Sequence, residues 1–456
     1  MEYIEFIKSK THLTGNFGFN ATYLPDYLFD FQKYVVEWEL KKGRCASFID
    51  TGLGKTATQL VKAENIIRHT NKNVLILAPL AVGHQFIKEA GKIGISDISQ
   101  SKDGKIKNKI TVANYERLHY FNPSDFVCVL LDESSILKNF DGKTKTSITS
   151  FMKNCEYRFL STATPSPNDY IELGTSSEAL GYLGYVDMLT MFFSNNEDTV
   201  KPQNIGTKWA LKPHATNNFF KWVSSWSVSM RKPSDLGFSD KKHQLPELVT
   251  NYHSVKNEKN MTVNGQIQLF NQVARRLTEI KEEQRLTIEP RCEKAVDIAS
   301  NHETSVYWCN FNKESEIIKS LDNSAYEIKG SMDIDKKEYL LLAFANGDIK
   351  KLITKAKMTG FGLNWQHCNH TVFFPTFSYE QYYQAIRRFW RFGQKNKVTC
   401  DLVYSDGQKR VLDSLIAKAN KSDSLFSKLN TNLHKDFSIK ENNFNKQIQK
   451  PEFLRG

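Results

Sequence analysis

The chain has 456 residues, too many for one hydrophobic core, so two or three domains are expected. Its net charge of +12 favours a polyanionic partner, nucleic acid first, although a basic soluble surface has the same composition. The seven cysteines are scattered, with no C-x-x-C and no histidine pair at ligand spacing, and no apolar run approaches membrane-spanning length; this argues against a zinc site, a disulfide scaffold and a membrane protein.

From Leu24 to Leu40 apolar residues recur at helical spacing, with Phe31, Tyr34, Val35 and Trp38 on one side. Ala46–Ile49 reads as a short strand running into Gly52-Leu53-Gly54-Lys55-Thr56, and a helix to about Thr70 follows. Apolar runs at residues 74–79, 110–113, 126–131 and 158–161 read as further buried strands, alternating with helical segments as in a parallel sheet covered on both faces. Residues 171–290 read as a helical insertion and linker, with aromatics at Trp209, Phe219, Phe220, Trp222 and Trp226 and one long helix over 261–287. Strands at 306–309, 352–354, 370–374 and 398–404 mark a second α/β domain over 291–417. The first domain thus covers 1–170, and residues 418–456 form a basic, partly flexible tail, read as a helical appendage that frays. The N-terminus carries no basic stretch leading into an apolar one, so no signal peptide is expected, and the cysteines suit a reduced, cytoplasmic compartment.

Three segments carry chemistry. In the strand–loop–helix setting of residues 46–70, Gly52 and Gly54 let backbone N–H groups approach phosphates, and the helix N-terminus adds a positive dipole. Lys55 would reach the β and γ phosphates of a nucleotide, and Thr56 would ligate Mg²⁺. Asp132 and Glu133 close the apolar run Val127–Leu131, at the strand end where α/β ligand sites form. Asp132 would hold Mg²⁺, and Glu133 would deprotonate the attacking water. Ser161 and Thr162, ending another strand, can link the acid pair to the domain interface by hydrogen bonds. Far downstream, Gln384-Ala385-Ile386-Arg387-Arg388-Phe389-Trp390-Arg391-Phe392-Gly393-Gln394 places Arg388 and Arg391 on one helical face. Guanidinium forks there suit the charge that builds on a transferred phosphoryl group, with Gln384 and Gln394 adding amide hydrogen bonds and Arg387 off that face. Alone, the stretch also fits a solvated basic helix or one lying on DNA phosphates.

As an ordered set these segments, with Phe31-Gln32, Leu77-Ala78-Pro79, Asn114-Tyr115-Glu116, Thr162–Pro165 and Gly360-Phe361-Gly362-Leu363-Asn364, resemble the superfamily 2 helicases and translocases. Within that group the Swi/Snf-like branch is the nearest in pattern. The resemblance implies an α/β fold of two RecA-like parallel-sheet domains in tandem, ATP and Mg²⁺ between them, and nucleic acid, most often double-stranded DNA, across both. It implies that Gln32 reads the adenine, and that the loop after Pro79, the segment from Asn114 to Glu116 and the approach to Gly360 through Thr359 touch the nucleic-acid backbone. Short members of this kind are encoded by bacterial viruses, which would place the chain in a host cytoplasm. Two departures stand out: Ser134-Ser135 follows the acid pair where the family has Ala-His, and Met358-Thr359 replaces Ala-Gly before Gly360. The expected activity is ATP-driven movement along DNA. An RNA-dependent ATPase of the same fold, or an accessory subunit with a vestigial ATPase, is the alternative.

Overall fold

The structure, a computed structural model, describes residues 15–79, 82–195, 209–256, 262–263, 266–267, 277–356, 358 and 364–432. Leu80 and Ala81 after Pro79, Thr359 and Gly360, and the tail beyond residue 432 therefore lie outside the described residues.

Two parallel sheets organise the chain. In the first lobe, helix α1 (Asp30–Lys42) leads into β1 (Arg44–Ile49), followed by α2 (Lys55–Thr70) and β2 (Asn73–Ala78). Then come β3 (Ile98–Gln100), β4 (Ile110–Asn114), β5 (Phe126–Asp132) and β6 (Tyr157–Thr162). The sheet is completed by β7 (Ser227–Met230), which follows α3 (Thr216–Trp226). The strand order is β3-β4-β2-β5-β6-β1-β7, with every pairing parallel. Such a sheet is buried on both faces, which is why β5 reads Phe-Val-Cys-Val-Leu-Leu without alternation. The carboxyl ends of β1, β5 and β6 lie side by side and bring Asp50, Asp132 and Thr162 to one rim.

The second lobe starts earlier than the sequence suggested. Its edge strand is β8 (Leu248–Val255), paired in parallel with β13 (Val398–Ser405). Between them lie β9 (Ser305–Trp308), β10 (Tyr326–Glu327), β11 (Lys351–Thr354) and β12 (His370–Phe373), in the sheet order β8-β13-β12-β9-β11-β10. After β12 comes α4 (Tyr379–Ile386), which ends just before the arginines, so Arg388 and Arg391 lie in the turn beyond the helix and not on the one helical face expected of them; after β13 comes α5 (Lys409–Asn432).

The expected insertion over 171–290 is thus divided between the lobes. Phe219, Phe220, Trp222 and Trp226 are buried in the first lobe's core, and β7 extends its sheet. Where the long helix was expected over 261–287, the described residues form a short antiparallel pair, Thr262–Val263 with Gln266–Ile267, and a helix from Leu277 to Leu286.

The helical appendage expected from residue 418 is present as the continuation of α5 to Asn432, and it is docked on the first lobe. Leu425, Phe426 and Leu429 fall on one stripe, and all three are buried in the first lobe's core. The Ser224 hydroxyl donates to the Leu429 carbonyl at 3.2 Å, and Lys421 pairs with Asp169 at 2.7 Å. The Arg231 guanidinium lies over the Phe426 ring at 4.4 Å. Helix α5 therefore ties the end of the second lobe to the first. Phe426→Ala should cost about 3–5 kcal/mol in a chemical denaturation experiment, with the loss in the transition that unfolds the first lobe.

Candidate nucleotide site between the lobes

The chain leaves β1 at Ile49 and turns through Asp50–Gly54 into α2. Gly52 (φ 86°) and Gly54 (φ 81°) both adopt the left-handed conformation that costs other residues about 1–2 kcal/mol. A Cβ on Gly52 would stand 2.9 Å from the Phe392 backbone nitrogen of the other lobe, and one on Gly54 would collide with the Gln32 amide. Glycine is needed here for conformation and for close approach alike. The Lys55 ammonium donates to the carbonyls of Ile49 at 2.8 Å and Asp50 at 3.2 Å.

Gln32 packs against the loop at Gly54. Its Nε2 donates to the Leu53 carbonyl at 3.0 Å and its Oε1 accepts from the Phe29 N–H at 3.0 Å, so the amide braces the loop from behind. One N–H and one lone pair of the amide are engaged in this way.

Opposite the loop stands the acid pair. Gln59 Nε2 donates to Asp132 Oδ1 at 2.8 Å, and the Tyr115 hydroxyl donates to the Asp132 backbone carbonyl. Glu133 has φ 55°, a left-handed conformation shared among described non-glycine residues only with Asn71, a helix cap. Glu133 stands at the N-cap of the 3-10 turn Ser134–Lys138, where no glycine or asparagine relieves the conformation. The Thr162 hydroxyl donates to Glu133 Oε1 at 2.6 Å, the link expected from the Ser161-Thr162 strand end. Ser135 Oγ lies 2.9 Å from the same oxygen and 2.7 Å from Oε1 of Glu380 on α4, and Lys138 pairs with Glu380. Burial pushes the carboxyls of Asp132 and Glu133 above the ordinary range, against the pull of their hydrogen bonds and of Lys55.

The second lobe closes the site. Arg388, Arg391 and Gln384 line the same cavity, of about 640 Å³, as Lys55, Thr56 and Glu133. A second cavity of about 650 Å³ opens beside the loop, lined among others by Leu53, His243, Tyr382 and Phe392. Gln394 is elsewhere: its amide donates to the Cys368 carbonyl at 3.0 Å and accepts from the Lys395 and Asn396 N–H groups, fastening the turn after the arginines. Of the residues assigned to nucleic acid, Pro79 lines the nucleotide cavity, and Asn114 is buried at the end of β4 beneath the surface. Sequence reasoning passed over Gln59, Tyr383 and Glu380 and gave Asp50 and Arg387 no partner; Gln59, Glu380 and Tyr383 each lie one helical turn from a residue already singled out, Lys55, Gln384 and Arg387.

The residues present fit a polyphosphate. Burial holds the Lys55 ammonium down at about 8, and it holds Arg388 and Arg391 at about 10. The Nε of Arg391 and the Thr51 hydroxyl are buried without a hydrogen-bond partner among the described residues, whereas the Arg387 guanidinium already has the Asp50 carboxylate. Cations so placed need an anion. A divalent cation also fits, because the Thr56 hydroxyl and the Asp132 carboxylate line the same cavity and Mg²⁺ takes its other ligands from phosphate and water. Among the described residues no cluster of three or more His, Cys, Asp or Glu offers a closed metal site.

A pH dependence follows. A bound phosphate favours charged Lys55 and raises its pKa above the free value. Nucleotide affinity should be flat below a pH of about 8 and fall by up to about tenfold per pH unit above it, as binding then requires proton uptake. A fluorescent-nucleotide titration series checks this, and Lys55→Arg should flatten the alkaline limb.

Residues 290–393, within the second lobe, match the family model of the helicase conserved C-terminal domain. Over 90 residues, 19% of this chain, the sequence is 33% identical to the CHD3-type chromatin-remodeling factor PICKLE of Arabidopsis thaliana. The matched stretch spans 6% of that relative's length. Among solved structures, the chain is similar to the Sulfolobus solfataricus SWI2/SNF2 ATPase core in complex with dsDNA. That similarity has 16% identity, covers 91% of this chain and 95% of the other, and has a TM-score of 0.41.

Proposed function

We propose that the protein is an ATP-hydrolysing motor of the Swi/Snf-like kind, which couples turnover between its lobes to movement along double-stranded DNA. One observation carries this reading: Arg388 and Arg391 of one parallel-sheet lobe and Lys55 and Glu133 of the other line a single cavity. Neither lobe alone has the set.

In this reading Lys55 and the N-terminus of α2 bind the β and γ phosphates of ATP, and Glu133 takes the proton of the attacking water. Thr56 and Asp132 would hold Mg²⁺, which when bound offsets phosphate charge. Arg388 and Arg391 stabilise the charge on the transferred phosphoryl group, so hydrolysis requires closure. Closure and opening then alternate the grip of the two lobes on the DNA backbone. The basic composition supports a polyanionic track. A short virus-encoded member working in a host cytoplasm belongs to the same proposal.

Triplex displacement tests movement. The motor should release a third strand from double-stranded DNA in the presence of ATP, without separating the duplex, and binding should weaken steeply with salt. Hydrolysis stimulated only by RNA would transfer the reading to an RNA-dependent ATPase. ATP turnover without displacement would remove the translocase assignment.

A further inference from the structure

Resting on that reading, we propose that Arg387 is a positioning residue, which aims Arg391 by gripping Asp50 of the phosphate loop. Arg387 caps the C-terminal end of α4, and Arg388 and Arg391 follow in the turn beyond it; all three line the cavity between the lobes. One arm of its guanidinium forms an ion pair with the Asp50 carboxylate of the other lobe. The other arm donates to the Trp390 carbonyl at 2.9 Å, the peptide group that leads into Arg391. The Tyr383 hydroxyl, one turn earlier on α4, donates to the same Asp50 carboxylate.

Asp50 is itself fixed. Its N–H donates to the Met230 carbonyl of β7 at 2.9 Å, its carbonyl accepts from Lys55, and its carboxylate takes the Thr51 N–H at 2.6 Å. The side chains of Arg387 and Asp50 are 7% and 3% exposed, so solvent and salt screen the pair little. A short chain of contacts therefore runs from Lys55 through Asp50 and Arg387 to the backbone of Arg391. The lysine and arginine that act on the phosphates are registered on one another through it. The guanidinium fork is what lets one side chain hold two partners at once.

The test uses the intact chain and four variants: Asp50→Asn, Arg387→Met, the two combined, and Tyr383→Phe. Each of the first two should lower kcat by about tenfold or more while the dissociation constant of ADP stays within about threefold. Because both remove the same pair, the double variant should be no slower than the slower single one. Tyr383→Phe keeps the ring packing and should lower kcat by about threefold, which guards against a variant that merely fails to fold. An ADP affinity that falls as far as kcat would make Arg387 a phosphate ligand and overturn the proposal, and so would losses that multiply in the double variant. If the unaltered protein hydrolysed no ATP, the motor reading would fail on its own. The pair would then be read from the distance between spin labels on the two lobes. Both single variants should broaden that distribution, and an unchanged distribution in both would overturn the pair.

Discussion

Glu133→Gln stops ATP turnover: kcat falls by about 10²–10⁴-fold, while nucleotide and DNA binding persist. Glutamine has the same shape, so the Thr162 hydroxyl that bonds Glu133 Oε1 at 2.6 Å keeps a carbonyl acceptor. What disappears is the proton acceptor. Burial pushes the Glu133 carboxyl above the ordinary range, with Glu380 adding to the effect, and a stronger base results. Ser135 sharpens the point. Its oxygen contacts Glu133 and Glu380 at 2.9 and 2.7 Å, yet a hydroxyl has one proton to donate and can serve only one carboxylate at a time. The residue that departs from the family pattern thus joins the proposed base to the opposite lobe. Steady-state ATPase rates beside equilibrium binding of a fluorescent nucleotide check the expectation. Equal losses in both would place Glu133 among the binding residues instead.

The second large effect is that of Arg391→Ala. Loss of an arginine that meets transition-state charge lowers kcat by roughly 10³-fold, or ~4 kcal/mol of barrier. A change of opposite sign is expected in the stability of the nucleotide-free protein. Burial holds the Arg391 guanidinium down at about 10, and its Nε has no partner among the described residues. Removing such a cation relieves a desolvation cost, so the melting temperature should rise while activity collapses. A drop in both would mean that Arg391 is needed for packing and not for the reaction.

Much of the fold was legible because parallel strands buried on both faces are short apolar runs, and β2, β4, β5, β9 and β12 read that way. The strand β7 did not. Ser-Val-Ser-Met looks like loop, and only the structure shows the Ser227 hydroxyl donating to the Val223 carbonyl and the Ser229 hydroxyl to Asn430. Helix α5 was underestimated because its apolar residues are few; their placement on one stripe, not their number, docks the helix. In the site, Lys55, Thr56, Asp132, Glu133, Gln384, Arg388 and Arg391 were found from spacing and context, and the fold brings them to one cavity. Gln394 was misplaced because an amide's partners cannot be inferred from the residue type, and it serves backbone groups next to the site. The Asp50–Arg387 pair joins residues more than three hundred positions apart. No periodicity within either segment announces it.

The most direct test of the account is the rate of ATP hydrolysis by the intact chain, measured side by side without polymer and with single-stranded DNA, double-stranded DNA and RNA. The account predicts slow basal turnover that double-stranded DNA raises by about tenfold or more, because a track that favours closure brings the arginines onto the phosphates. Turnover that no nucleic acid changes, or none under any condition, would contradict it.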